Sequence, residues 1–145
     1  MIHTHVGFTG TKEGLTAIQR SSLFRVCKAL QATCSLPMNL HHGDCVGADS
    51  EMHDVAEELG WRITIHPPIL SKHQAFREGH ESKIPKAYLS RNEDIVNDSE
   101  VMIACPKNMF EERRSGTWHA IRYAKKKSRL IYYVWPDGQV TKTSA

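Results

Sequence analysis

The sequence predicts an α/β fold, a three-layer sandwich around a mostly parallel five-stranded sheet in the order 3-2-1-4-5. Three observations predict it. Short apolar runs alternate along the chain with stretches of helical periodicity, the pattern of successive βα units. Val101 to Cys105 is apolar throughout, as expected of a strand buried on both faces. The stretch His41-His42-Gly43-Asp44-Cys45-Val46-Gly47-Ala48-Asp49 reads as strand end, glycine-bearing turn and helix start. Right-handed crossovers then make 3-2-1-4-5 the economical order, with a topological switch between the first and fourth strands.

The elements follow in order. His3 to Phe8 is the first strand, and Thr9 to Gly14 a turn with two glycines. Thr16-Ala17-Ile18-Gln19 matches a capping box, with Thr16 as N-cap. The helix it opens runs to about Thr33, with Leu23, Val26, Cys27 and Leu30 at helical spacing. Pro37 precedes the second strand, which carries Met38 and Leu40. Gly43 is expected to take positive φ in the central turn. The next helix, from about Ala48 to Leu59, has Met52, Val55, Ala56 and Leu59 on one side and Gly60 as its C′ residue. Arg62 to His66 alternates as a third strand and ends at Pro67-Pro68. Residues 69–85 are expected to be a functional or mobile loop. A helix from about Lys86 to Asn97 precedes the Val101–Cys105 strand. Asn108 to Ser115 is a charged loop, and Gly116-Thr117 opens a helix with Ala120, Ile121 and Ala124 inward. Leu130 to Trp135 is the last strand. Residues 1–138 make one domain and 139–145 a polar C-terminal tail.

The chain has 145 residues, 40% apolar and 24% charged, the composition of a globular domain with a real core. No apolar run approaches the ~18 residues of a membrane helix. The N-terminus lacks the basic and apolar regions of a signal peptide, so a cytoplasmic location and no membrane partner are expected. The four cysteines, Cys27, Cys34, Cys45 and Cys105, show no C-x-x-C spacing and read as small buried hydrophobes. A net charge of +3 suits anionic small ligands and does not demand nucleic acid. Lys125-Lys126-Lys127 and Arg129 sit at a helix end, where cations suit the dipole. His3 and His5 share a strand face and read as structural histidines, while His41 and His42 point to opposite faces, which argues against joint ligation. No metal set and no cofactor is expected.

In this topology ligands bind outside the carboxyl ends of the strands, at the switch. The turns that would meet there carry Thr9, Gly10 and Thr11; Gly43, Asp44, Gly47, Ala48 and Asp49; Pro106 and Lys107; and Ser115, Gly116 and Thr117. Glycine turns and helix starts present peptide N–H groups, which suit a phosphate or a nucleotide. Arg91 and Asn92 precede Ile95-Val96 on their helix and are placed at the same edge, and Arg91, Lys107, Arg113 and Arg114 could supply cations. Asp49 could cap its own helix while touching a ribose hydroxyl or a water. Trp118 reads as a packing residue. Gly7-x-x-Gly10-x-x-x-Gly14 fits neither G-x-G-x-x-G nor a P-loop.

Gly7-Phe8-Thr9-Gly10-Thr11, His42-Gly43-Asp44-x-x-Gly47-Ala48-Asp49, Arg91-Asn92 and Ser115-Gly116-Thr117, in that order, resemble the SLOG superfamily. That group takes in the Lonely Guy cytokinin-activating hydrolases, the Smf/DprA core and small phage and bacterial proteins of this length. The resemblance covers nearly the whole chain. It implies a Rossmann-like sheet, a nucleotide or nucleotide-derived ligand and a homodimer or higher homo-oligomer. The Lonely Guy hydrolases carry P-G-G-x-G-T-x-x-E, whose glutamate takes part in cleaving the N-glycosidic bond. Here the double glycine is missing and the glutamate position is Ala120, which cannot act as a base. Asp49, Arg91 and His119 are the candidate catalytic residues, with Glu111 and Glu112 as other carboxylates. The expected function is binding of a nucleotide or nucleotide-derived small molecule, as a sensor or sequestering protein. The alternatives are a phosphoribohydrolase-like enzyme acting on nucleoside monophosphates and single-stranded DNA binding of the Smf/DprA type, against which the modest charge and sparse exposed aromatics speak.

Overall fold

The computed structural model describes residues 2–143. The chain runs β1 (Thr4–Gly10), α1 (Ala17–Thr33), β2 (Met38–His42), α2 (Ala48–Glu58), β3 (Arg62–Ile65) and β4 (Glu81–Ser82). It continues through α3 (Tyr88–Asn97), β5 (Val101–Cys105), α4 (Gly116–Lys126), β6 (Leu130–Val134) and β7 (Val140–Thr143). All seven strands form one sheet in the order β4-β3-β2-β1-β5-β6-β7, with β7 antiparallel to β6 and every other pair parallel. This is a Rossmann-like three-layer sandwich. Its central five strands are those expected, in the expected order.

Two edge strands correct the expectation. β4 lies within residues 69–85, read as loop, and β7 lies within the stretch read as a polar tail. Both strands bury little, so neither carries an apolar signal. Ser144 and Ala145 of that stretch lie outside the described residues.

The two faces of the sheet explain the apolar runs. Along β5, Val101, Ile103 and Cys105 join a core with Leu23 and Cys27 of α1 and Met52, Val55 and Ala56 of α2. Met102 and Ala104 turn the other way, onto Ile95 and Val96 of α3 and Trp118, Ile121 and Ala124 of α4. Each Val, Leu, Ile or Met among them, fully buried, contributes roughly 1.5–3 kcal/mol. Trp118 is a packing residue, as read, lying against Tyr133 and Trp135.

The helix ends are built as their residues dictate. Thr16 and Gln19 form the capping box of α1. Gln19 is buried and its amide also donates to the carbonyls of Pro106 and Val134, at 3.0 and 2.8 Å, tying α1 to the ends of β5 and β6. Ser115 caps α4 by accepting from Trp118 N, and Lys125 and Lys126 lie in that helix's last turn. No helix among the described residues is long and apolar enough to cross a membrane.

Candidate functional site

The chain leaves β1 through α1 for β2 on one side, and returns from the far edge through α3 to β5 on the other, so the carboxyl ends of β1 and β5 mark the switch. A cavity of about 400 Å³ opens there. The structure brings eleven of the expected residues onto its wall: Thr9, Gly10 and Thr11 after β1, Gly43 and Asp49 from the central turn, Arg91 and Asn92 from α3, Lys107 after β5, and Ser115, Gly116 and Thr117 at the start of α4.

Four others lie behind that wall. Asp44 has φ +58 and is buried. Its carboxylate accepts from Gln74 Nε2 at 3.1 Å and Arg77 N at 2.8 Å, holding the 73–77 strap against the turn. Gly47 has φ +84, and a Cβ there would stand 2.3 Å from the Lys12 carbonyl oxygen. Ala48 N donates to Thr11 O, and the Ala48 methyl abuts Gly10. The Pro106 carbonyl is taken by Gln19. The expected positive φ falls on Asp44 rather than Gly43. Gly43 is required for a different reason: a Cβ there would lie 2.5 Å from the Arg91 guanidinium.

The central turn is also not an open N–H cradle. Asp49 Oδ2 accepts from Gly43 N and Cys45 N, each at 3.2 Å. Asp44 N goes to His42 Nδ1 at 2.9 Å and Val46 N to His73 O at 2.8 Å. The donors of the turn ahead of α2, and that of Ala48, are satisfied from within the protein, although the helix itself has no side-chain cap. At α4 the situation differs. Ser115 takes the Trp118 N–H, and the N–H groups of Gly116 and Thr117 have no partner among the described residues. That end of the cavity keeps its anion-binding character.

Asp49 and Arg91 dominate the electrostatics of the inner wall. Burial pushes the Asp49 carboxyl up to about 6, against the opposing pull of Arg91 and of the two peptide N–H groups. Arg91 is itself buried. Its guanidinium donates to Gly43 O, to His66 O at 3.1 Å and to Asn92 Oδ1 at 2.7 Å, and lies over the Tyr88 ring at 4.6 Å. It is a fixed strut across the base of the cavity. At the rim, Lys107 pairs with Glu13 at 3.1 Å, and Glu112 is held by Asn108. Lys12 and Arg114 have no acidic partner among the described residues.

Of the catalytic candidates, His119 is off the wall, 3.4 Å from Glu93. Glu111 is engaged by Arg122. Ala120, at the position where the resemblance places a glutamate, does line the cavity, as does Glu112. Cys45 borders it with its thiol 3.8 Å from the Tyr88 hydroxyl, and burial and Asp49 raise that thiol, which keeps it protonated. Cys105 is fully buried and does not reach the cavity. Tyr88, His73, Lys12 and Glu13 were not expected at the site. Tyr88 had a signal, standing three residues before Arg91 on the same helix face. His73 had none, since a long-range strap delivers it.

No protein-family model matches the chain, and no curated protein matches it. Two solved structures are similar in fold. The molybdenum cofactor binding protein from the phototrophic bacterium Rippkaea orientalis superposes with a TM-score of 0.71 at 18% identity, over 93% of this chain and 78% of that one. TM1055, a structural genomics target, superposes with a TM-score of 0.62 at 12% identity, over 88% of this chain and 72% of that one.

Proposed function

We propose that this chain binds a nucleotide or nucleotide-derived small molecule in the switch-point cavity, as a sensor or sequestering protein. The observation that carries this reading is one cavity that sets peptide donors and cations beside an aromatic ring. The free N–H groups of Gly116 and Thr117 lie beside Arg114, and Lys12 and Lys107 line the same cavity. A phosphate would sit there. The Tyr88 ring, stiffened by the Arg91 guanidinium beneath it, packs next to Gly116 and offers a surface for a flat base. Asp49 is on the same wall, placed to accept from a sugar hydroxyl. A volume of about 400 Å³ is within the range of small-ligand pockets. That one of the similar structures is a cofactor-binding protein accords with a small-molecule site. Isothermal titration against a panel of nucleoside mono-, di- and triphosphates tests the reading. Heat is expected from at least one member, and a flat response to all of them overturns it.

The raised carboxyl of Asp49 favours a second reading, hydrolysis of the N-glycosidic bond of a nucleoside monophosphate. A group that titrates near 6 at a cavity wall is suited to general acid–base work. Chromatography would then show free base released from AMP, lost in Asp49→Asn. Asparagine can still accept the Gly43 and Cys45 N–H groups, so the turn is kept while the base is removed.

We also infer a homodimer. Backbone bonds from Ile69 N to Lys86 O and from Lys86 N to Pro67 O bring the exposed Ile69 and Leu70 beside the segment carrying Ile84 and Leu89. Light scattering coupled to size exclusion should give twice the chain mass, falling to one chain in Ile84→Glu/Leu89→Glu.

A further inference from the structure

On the α3 side of β2, separated from the switch-point cavity by Arg91, three potential ligand atoms from distant parts of the chain converge. They are His41 Nδ1 on β2, His66 Nε2 just after β3, and a carboxylate oxygen of Asp98, the C-cap of α3, all within 4.8 Å of one another. His41 Nδ1 and His66 Nε2 are 2.9 Å apart, and Asp98 Oδ2 lies 3.9 Å from His66 Nε2. The last distance is too long for a hydrogen bond. Ligand atoms about 2.0–2.1 Å from a tetrahedral zinc are roughly 3.3 Å apart. The observed separations bracket that value.

We propose that His41, His66 and Asp98 form a site for a divalent zinc-like ion, with its fourth position open. Two imidazoles and one carboxylate are a donor set that suits zinc better than calcium or magnesium. The remaining ring nitrogen of His41, Nε2, lies 2.8 Å from His5 Nδ1 and 3.1 Å from Asn39 Nδ2, whose two hydrogens have Leu40 O and Thr64 Oγ1 as other acceptors; in the ligating tautomer Nε2 carries the proton and His5 Nδ1 accepts it. A second cavity, of about 330 Å³, abuts His66 and Asp98 and is flanked by Lys83, Lys86, Arg91 and Asp94. It gives the ion a route in and leaves room for a water or an anionic fourth ligand. His42, on the other face of β2, belongs to a separate pair with His53 at 2.9 Å and takes no part.

The test uses the full chain, stripped by a chelator and titrated with Zn²⁺ by calorimetry, and with Co²⁺ by visible absorption. One equivalent per chain is expected, with the intense visible bands of four- or five-coordinate cobalt. Asp98 is 43% exposed, so Asp98→Asn leaves the fold intact while removing a ligand. It should weaken Zn²⁺ binding at least about tenfold, as should His66→Gln, and His5→Ala should weaken it by about 10–100-fold through loss of the orienting contact. The proposal is overturned if the wild-type chain shows no saturable binding, or if Asp98→Asn or a folded His66→Gln binds Zn²⁺ as tightly as wild type. Should His66→Gln fail to fold by circular dichroism, Asp98→Asn decides.

Discussion

Asp49 shows how a single side chain serves two masters at the site. It caps the central turn with one oxygen and faces the cavity from a buried position, and that position costs stability when it ionises. The direction follows from proton binding. With its folded-state value near 6 and an unfolded value near 3.9, the native protein holds more protons than the unfolded chain between those values. Stability contributed at Asp49 therefore falls as pH rises from about 4 to 6 and stays low above that. Asp49→Asn should be neutral or slightly destabilising at pH 4 and stabilising, by about 2 kcal/mol, at pH 7.5. Urea unfolding of the two proteins at both pH values measures the difference, and an equal difference at the two values would remove the buried carboxylate from the account. Gly43 and Gly47 make a paired prediction. A methyl at Gly43 meets the end of the Arg91 side chain, whereas one at Gly47 meets Lys12 backbone and also demands φ +84. Gly47→Ala should cost about 3 kcal/mol and Gly43→Ala about 1–2 kcal/mol in chemical denaturation. Gly43→Ala should still weaken any ligand held near Arg91.

Among the elements, α1 is secured by polar contacts as much as by its apolar face. Thr16 Oγ1 accepts from Gln19 N and donates to Pro136 O at 2.7 Å, while the Gln19 amide closes two buried carbonyls at the strand ends. Losing the cap costs about 1 kcal/mol, but losing the amide also leaves two buried acceptors without donors. Gln19→Leu should therefore lower Tm more than Thr16→Ala, although it replaces a polar group by an apolar one of similar size. Here the legibility of the sequence divides. The capping box, the stop at Gly60 and the two-faced strand Val101–Cys105 depend on local spacing, and local spacing is written in the residues. β4, the second half of Gln19's role and the strap that carries His73 and Gln74 depend on partners 17 or more residues away, as in Gln74 to Asp44 and Ile63 to His80. No period or propensity encodes those. The site divides likewise. Its glycine and threonine turns were legible because strand ends converge in any sheet of this order. The exclusion of Asp44, Gly47, Ala48 and Pro106 from the cavity surface was not, because it depends on which neighbour each backbone group found first.

For the whole molecule, the topology gathers β1, β2, β5 and the starts of α2 and α4 at one edge, and the internal bonding then decides which start remains open. Asp49, Thr11 and His73 take the donors of the central turn and of Ala48, whereas α4 keeps two free N–H groups beside Arg114. The anion end of the cavity is thus defined by α4 and the rim cations, and charge reversal there should separate binding from folding. A ligand present at a hundred times its Kd stabilises the native state by about 2.7 kcal/mol. For a chain of this size that raises Tm by roughly 5–10 °C. Arg114→Glu removes an exposed cation without an acidic partner among the described residues, so the unliganded Tm should move by less than about 2 °C. The same substitution puts a carboxylate beside Gly116 and Thr117, where it competes with a phosphate for the same donors. The nucleotide-induced rise in Tm expected of the wild-type chain should then largely disappear, and added salt should weaken the wild-type response in the same direction. A rise that survives Arg114→Glu unchanged would leave the α4 start without a role in binding.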